Sequence, residues 1–228
     1  MKALIVGGTQ GFGKELANEL RGERGGYEVV TIGRTNNPDY LCDVGDLEKW
    51  QQVLPEIKKV HQQLDLIIFA VGYARAKSFT SLNTIDWKEH LDKNLLYVAF
   101  GLKDLAETAR GKVVTLDSQW SYKIGNPELV PYTVAKHALT TLTLDFAARN
   151  PSIQTNNYCL PTMDTPQYHK VMRSFQDLGK KFKVEKLADH KLIAKKLIHH
   201  ILDYPETGRV LKINPEGEVS ELQIPSGV

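Results

Sequence analysis

Cysteine is nearly absent from this chain, with only Cys42 and Cys159 among 228 residues. Two thiols so far apart build no disulfide framework and point to a reducing compartment, which predicts a cytoplasmic protein. Long apolar runs are missing as well. No stretch approaches the ~20 residues a membrane helix needs, and the opening run of residues 1–6 breaks at Gly7-Gly8, as a strand does and an export signal does not. The chain also lacks internal repeats, low-complexity runs and any Gly/Ser/Pro-rich linker, so one domain over residues 1–228 is expected. Charge of one sign is lacking too, and a net charge of +2 disfavours a nucleic-acid scaffold. The Lys-rich stretch of residues 180–196 is interrupted by Glu185 and Asp189 and reads as a solvated helix face. His190 and His199-His200 have no companion Cys or carboxylate arrangement, so no metal site is expected.

What is present alternates between buried-type strands and helical periodicity. Ala3-Leu4-Ile5-Val6 is wholly apolar, as is a strand covered on both faces of a parallel sheet. A glycine cluster follows, Gly7, Thr9, Gln10, Gly11, Phe12 and Gly13, then a helical pattern over residues 14–24 with Leu16, Ala17 and Leu20 on one side. Strand, glycine turn and helix N-terminus together form a pyrophosphate holder, because free backbone N–H groups and the helix dipole meet the anion at close approach. A second strand, residues 27–32, ends at Gly33-Arg34-Thr35. The residue just past such a strand faces the adenosine ribose, where an acid suits NAD and an arginine suits the 2′-phosphate of NADP. Arg34 stands there, with Thr35 and Asn36 as further donors, and predicts NADP(H) over NAD(H).

Further strand-type runs fall at residues 40–44, 64–72, 112–117, 153–160 and 209–213. Helical patterns fall at residues 47–63, N-capped by Asp46 and containing Pro55, at 84–110, closed by Gly111 as a C-cap, and at 131–150. An irregular one covers 167–183 and a basic one 189–202. This alternation predicts an α/β fold, a doubly wound parallel sheet of about seven strands with helices on both faces. Ligands of such sheets bind outside the carboxyl ends of the strands, where Gly7, Arg34, Asp43, Gly72, Ser118 and Pro161 all fall.

Tyr132 and Lys136 sit four residues apart on one helix face and are therefore neighbours. A phenol ordinarily titrates near pH ~10, and a positive charge about 4 Å away is worth roughly 4 kcal/mol at an intermediate effective dielectric. At about 1.36 kcal/mol per pKa unit, Lys136 is expected to bring Tyr132 toward a useful general acid/base.

Several of these features form an ordered set: Gly7, Gly11 and Gly13 at the first turn, Asp43 after the third strand, Asn94 in the long helix, Ser118 after the fifth strand, Tyr132 with Lys136, and a loop of Pro161 with Thr165. On these residues the chain resembles the short-chain dehydrogenase/reductase (SDR) family over nearly its whole length. The resemblance implies one Rossmann-type domain with a variable substrate lid around residues 162–187. It implies a cofactor held by Gly7, Thr9, Gln10, Gly11, Phe12, Gly13, Arg34, Asp43, Val44, Ala70, Gly72, Tyr132, Lys136, Pro161 and Thr165. It further implies hydride transfer between the nicotinamide and a carbonyl or secondary alcohol, with Tyr132 as general acid/base and Ser118 holding the substrate oxygen. Lys136 would lower the Tyr132 pKa and bind the nicotinamide ribose, and Asn94 would hold a water in a proton relay. A homodimer or homotetramer packed through two long central helices is implied as well.

The chain also departs from the family pattern. Val6 replaces a usual Thr, Thr162 stands where a Gly often follows the loop proline, and Ser118 lies fourteen residues before Tyr132, one more than is common, which leaves Ser121 as a rival. Phe69-Ala70-Val71-Gly72 stands for the usual Asn-Asn-Ala-Gly, so backbone groups of the central sheet must be satisfied differently. Trp120, Met163, Tyr168, Met172 and Phe175 are candidates to line a substrate pocket, and Cys159, at the end of an apolar strand, is expected to be buried. The expected function is that of an NADP(H)-dependent oxidoreductase acting on a small-molecule carbonyl or alcohol. The alternative is a catalytically silent dinucleotide-binding sensor or regulator on the same fold.

Overall fold

A computed structural model describes residues 1–22, 26–122, 126–182, 184 and 186–223. The apolar runs become eight strands in one sheet, ordered β3-β2-β1-β4-β5-β6-β7-β8. They are β1 (Lys2–Val6), β2 (Glu28–Gly33), β3 (Tyr40–Leu41), β4 (Leu64–Phe69), β5 (Ala109–Ser118), β6 (Gln154–Leu160), β7 (Arg209–Ile213) and β8 (Val219–Glu221). Every neighbouring pair is parallel except β7–β8, which is antiparallel. The eighth strand exceeds the expected seven by three residues of chain, too short to leave a periodic signal.

Among the described residues there are seven α-helices: α1 (Gly11–Arg21), α2 (Leu47–Val60), α3 (Thr84–Leu91), α4 (Tyr97–Leu105), α5 (Val130–Arg149), α6 (Pro166–Asp177) and α7 (His190–Asp203). Alternate residues of each strand face opposite layers. Ala3 and Ile5 meet Leu16 and Leu20 of α1 and Ile193 and Leu197 of α7, while Leu4 and Val6 join Trp50 and Leu54 of α2, Val98 and Leu102 of α4 and Leu139 of α5. The oxygens of Asp46 cap α2 by accepting from the Lys49 N–H, and Pro55 remains inside that helix without dividing it.

Some predicted boundaries move. The helix expected over residues 14–24 begins at Gly11 and ends at Arg21, and Arg24 lies outside the described residues. The helix expected to residue 63 stops at Val60, with His61 as its C-cap. The pattern over residues 167–183 is helical only to Asp177, and Lys183 lies outside the described residues.

The largest correction concerns residues 84–110. This stretch is α3, a five-residue π segment (Asp92–Leu96) and α4, ending at Leu105. The Thr108 hydroxyl turns the chain by donating to the Leu105 carbonyl at 2.7 Å, and Ala109 already pairs with Leu64 as the start of β5. Gly111 is therefore no helix cap. A Cβ there would lie 2.3 Å from the Asp65 carbonyl oxygen, at the register shift where β5 slips past β4. Its glycine reports a close strand approach.

Lys112, next along β5, ties the sheet to α7. Its Nζ donates to the carbonyls of Ile201 (2.6 Å), Leu202 (3.0 Å) and Tyr204 (2.9 Å), which are orphaned groups at the helix end. The ammonium also complements the negative pole of the helix dipole. Burial lowers its pKa, so the charge is held against a desolvation penalty by these three acceptors. Lys112→Met should take this donor from the Ile201 and Leu202 carbonyls, while Tyr204 keeps Gln154 Nε2, and lower stability by about 2 kcal/mol. Urea unfolding checks this, and an unchanged midpoint would show that water replaces the lysine at no loss.

Candidate active site

One cleft of about 590 Å³ opens outside the carboxyl ends of β1, β2, β4, β5 and β6. Its floor is the turn between β1 and α1. Gly7 has φ +90°, and a Cβ there would sit 2.7 Å from the Val71 side chain; a Cβ on Gly13 would meet the Gly7 carbonyl oxygen at 2.1 Å. Both positions require the missing side chain. Gln10 is the N-cap of α1 and makes no side-chain cap, and the first turn carries no acid. The N–H groups of that turn thus remain available to an anion, with the positive helix pole behind them. These features fit a dinucleotide pyrophosphate.

At one end of the cleft, Arg34 and Asp43 project from the chain after β2 and after β3. Arg34 Nη1 lies 3.2 Å from Asp43 Oδ2, and both side chains are substantially exposed. A carboxylate absent from the end of β2 is therefore supplied by the neighbouring strand, where it holds the guanidinium in the cleft. Asp43 Oδ1 accepts from the Gly45 N–H at 3.0 Å, which fixes the acid. Asn36, with φ +64°, donates to the Thr9 carbonyl at 3.1 Å and joins this turn to the glycine turn.

At the other end, α5 presents Tyr132 and Lys136 one turn apart, and β5 delivers Asp117 and Ser118. The Lys136 Nζ, 3% exposed, donates to the Leu116 carbonyl at 2.7 Å. Burial pulls its pKa down, and Asp117, then Cys159, oppose that. The phenol of Tyr132 is pushed above its ordinary value, first by burial, with a Ser118 hydrogen bond acting against the rise and Asp117 and Cys159 adding to it. The direction is opposite to the lowering expected from Lys136, with burial the largest cause.

Ser118 Oγ accepts from the Trp120 N–H at 3.2 Å and keeps its proton for another acceptor. Its rival Ser121 is buried and donates to Asp117, away from the cleft wall. Asn94 is fully buried, and its side chain fastens the chain after β4: Oδ1 accepts from the Tyr73 N–H (3.0 Å), while Nδ2 donates to the carbonyls of Tyr73 and His90 (2.8 Å each). Both amide protons are thus engaged, which leaves the side chain no donor for the water expected there. It lies outside the cleft wall, whereas the other expected catalytic and cofactor-binding residues, from Gly7 to Thr165, all line it.

The replaced amides of Phe69-Ala70-Val71-Gly72 are also accounted for. Phe69 packs edge-on to Tyr97, whose hydroxyl donates to the Val71 carbonyl at 2.9 Å. The buried side-chain polar network lies one and two strands away, where Asn157 Nδ2 donates to Thr115 Oγ at 2.9 Å and Thr115 meets the Thr143 hydroxyl at 2.8 Å.

Val171, Phe175, Leu178 and Phe182, from the segment expected to form a lid, pack with Tyr132. Thr165 Oγ caps α6 by accepting from the Tyr168 N–H, and Trp120 and Phe175 flank Phe182 with ring centroids 4.6 and 4.7 Å away. Trp120 Nε1 and Gln119 Nε2 both donate to Thr162 Oγ, at 2.9 and 3.1 Å, so the residue standing for a glycine anchors the chain after β6. Gln167 reaches the Ala74 carbonyl at 2.9 Å, and the Ala76 N–H donates to Ser174 Oγ at 2.9 Å. Of the candidate pocket residues, Trp120, Met163 and Tyr168 line the cleft, whereas Phe175 is buried behind it and Met172 stands aside. Cys159 is buried, and burial together with Asp117 pushes its thiol up, which makes it inert.

Sequence reasoning passed over Tyr73, Lys93 and Asp117. Tyr73 OH donates to Glu89 Oε2 at 2.8 Å, which with burial drives the phenol up to about 12, and Lys93 lies 4.5 Å above its ring. An acid closing the apolar run Val113-Val114-Thr115-Leu116-Asp117 was the available signal for the last of them.

The comparisons with known proteins agree with this geometry. A family model described as short chain dehydrogenase matches residues 1–174. An NAD-dependent glycerol dehydrogenase of Listeria innocua is 27% identical over 157 residues, covering 62% of this chain and 61% of its own. A dehydrogenase/reductase SDR family member 11 of Bos taurus is 25% identical over 166 residues, covering 62% of this chain and 64% of its own. The chain thus matches less than two thirds of the length of either relative. Among solved structures, a short chain dehydrogenase family protein of Francisella tularensis superposes with TM-score 0.80 at 21% identity, covering 95% of this chain and 98% of that one. ElxO with NADP bound superposes with TM-score 0.76 at 22% identity over the same shares, and at such identities these two speak for the fold. With a family model that takes in the glycine turn, Ser118, Tyr132 and Lys136 in one span, the chain belongs to the short chain dehydrogenase family.

Proposed function

We propose that this protein is an NADP(H)-dependent reductase that transfers a hydride between the nicotinamide and a carbonyl or secondary alcohol, with Tyr132 as the general acid/base. The observation that carries the reading is that the hydroxyl-bearing side chains Tyr132 and Ser118 share one cleft with an uncapped helix N-terminus and Arg34. When bound, the cofactor supplies the hydride; the protein supplies orientation and proton transfer. Tyr132 holds the proton destined for the substrate oxygen, and Ser118, whose own oxygen is occupied by the Trp120 N–H, donates to that oxygen and fixes its place beside the phenol. Lys136 sets a positive charge at the ribose side of the cleft. Trp120, Phe182 and Leu129 exclude water from the Tyr132 end.

The cofactor preference rests on Arg34. The relatives differ in this respect, since the Listeria enzyme is NAD-dependent by name and ElxO carries NADP. Arg34 is half exposed in the cleft, and Asp43 holds it there, so a 2′-phosphate would find a positioned guanidinium.

Two outcomes follow from this reading. Tyr132→Phe should retain NADPH binding, measured by cofactor fluorescence, while NADPH oxidation over a panel of ketones and aldehydes falls by about 10²–10⁴-fold; full turnover in the variant would remove Tyr132 from its role. Arg34→Ser should raise the NADPH dissociation constant about tenfold or more and leave that of NADH unchanged or lower, since one charge-assisted contact is lost only with the phosphorylated cofactor. Equal affinity of the parent protein for the two cofactors would overturn the preference.

A further inference from the structure

We propose that Lys170 and Arg173 of α6 meet the cofactor pyrophosphate from the side opposite the glycine turn, so that two cations complete the anion site the turn begins. This rests on the dinucleotide-binding part of the proposed function and is independent of which side chain moves the proton.

Two sides of α6 have different company. Val171, Ser174 and Phe175 are its buried residues, and Gln167 and Ser174 tie this side to the chain after β4. Pro166, Lys170, Arg173 and Asp177 follow one another at helical spacing and form a second stripe. All four are exposed, yet all four line the cleft. The stripe begins on the cleft floor. Gly11 opens α1 with φ +52°, and a Cβ built there would find Pro166 Cδ at 3.8 Å. From that contact α6 runs along the cleft. Lys170 stands one turn on, about 6 Å of axial rise beyond Pro166, and Arg173 about 4.5 Å beyond Lys170. Both are long enough to reach back toward the turn.

Neither cation is spent on the protein itself. Among the described residues Lys170 and Arg173 form no ion pair and no side-chain hydrogen bond, and Asp177, one turn past Arg173, does not pair with it. Nearby lysines behave otherwise: Lys77 pairs with Asp86, Lys93 with Glu89 and Lys180 with Glu128. The cleft's other acids are engaged elsewhere, Asp43 with Arg34 and the Gly45 N–H, Asp117 with the hydroxyls of Ser121 and Thr140. An anion lying along the glycine turn therefore meets unspent positive charge across the cleft. A substrate held at Tyr132 is a poorer fit for these cations. The α6 side chains packed with Tyr132 are Val171 and Phe175, and from Val171 the helix turns about 100° to Lys170 and about 160° to Arg173. The pyrophosphate carries two negative charges, which suit an ammonium as a point charge and a guanidinium as a fork. NADPH and NADH share this group, so the two cations add affinity without choosing between the cofactors, in contrast to Arg34.

The test is equilibrium binding, by cofactor fluorescence and calorimetry, and needs no turnover. The double variant Lys170→Ala/Arg173→Ala should raise the dissociation constants of NADPH and NADH by a common factor of about ten or more. ADP-ribose, which keeps the pyrophosphate and lacks the nicotinamide, should lose as much. Adenosine 2′-monophosphate, which has no pyrophosphate, should bind as it does to the parent. NADPH binding should also weaken less steeply with salt in the variant, because two of the charges that salt screens are gone. Lys170→Gln/Arg173→Gln keeps the stripe polar and close to its original length; it should show the same losses and decides the matter if the alanine pair disturbs α6. Unchanged affinity for both dinucleotides overturns the inference. So does a loss confined to NADPH or shared by adenosine 2′-monophosphate, or an effect seen only in the KM of a carbonyl substrate, which would assign the cations to that substrate. Affinity losses of the expected pattern in a protein that reduces no carbonyl would uphold the inference and overturn the proposed function. A parent protein that binds neither dinucleotide would overturn both.

Discussion

Parallel pairing is the constraint from which the site follows. Because β1, β2, β4, β5 and β6 all run in one direction, their carboxyl ends fall along one edge, and each ends where its backbone leaves the ladder and its next residues are free to meet a ligand. Gly7, Arg34, Gly72, Ser118 and Pro161 reach the same cleft for this reason, although up to 154 residues separate them in sequence. No contact among those side chains is needed to assemble the group; the hydrogen-bonded registers of the strands do it.

Much of this was legible from the sequence, because buried parallel strands read as unbroken apolar runs and glycine turns punctuate them. The strand ends at Val6, Leu160 and Ile213 agree with the runs that predict them. Where the reading failed, a local signal carried a long-range meaning. Gly111 resembles a helix cap from its neighbours alone, but its missing side chain accommodates the Asp65 carbonyl of another strand, which periodicity does not register. For the Tyr132–Lys136 pair, too, the sequence shows only part of the surroundings. Spacing gives the proximity of the ammonium, whereas the extent of burial and the field of Asp117 depend on β5, β6 and the lid packing around the pair.

The Asn94 side chain shows how the chain manages without the usual amides at the end of β4. Its three hydrogen bonds secure the Tyr73 peptide and the His90 carbonyl from within the π segment, and the Tyr97 hydroxyl, three residues further along, does the same for Val71. A π turn widens the helix by one residue, which lets positions 94 and 97 both point at the strand end. The loop after β4 is thus anchored by the helix beneath it, and α6 is fastened to that loop in turn through Gln167 and Ser174.

The two outer strands have a consequence of another kind. A sheet that holds strands as apolar as β1 would be a template for neighbouring chains if its margins were long and flat. Here one margin is the two-residue β3, and the other is the three-residue β8, which runs against its neighbour and carries Glu221 in an ion pair with Arg209. Too short to pair with a foreign strand and charged on one side, these margins keep a strongly hydrophobic interior from seeding aggregates.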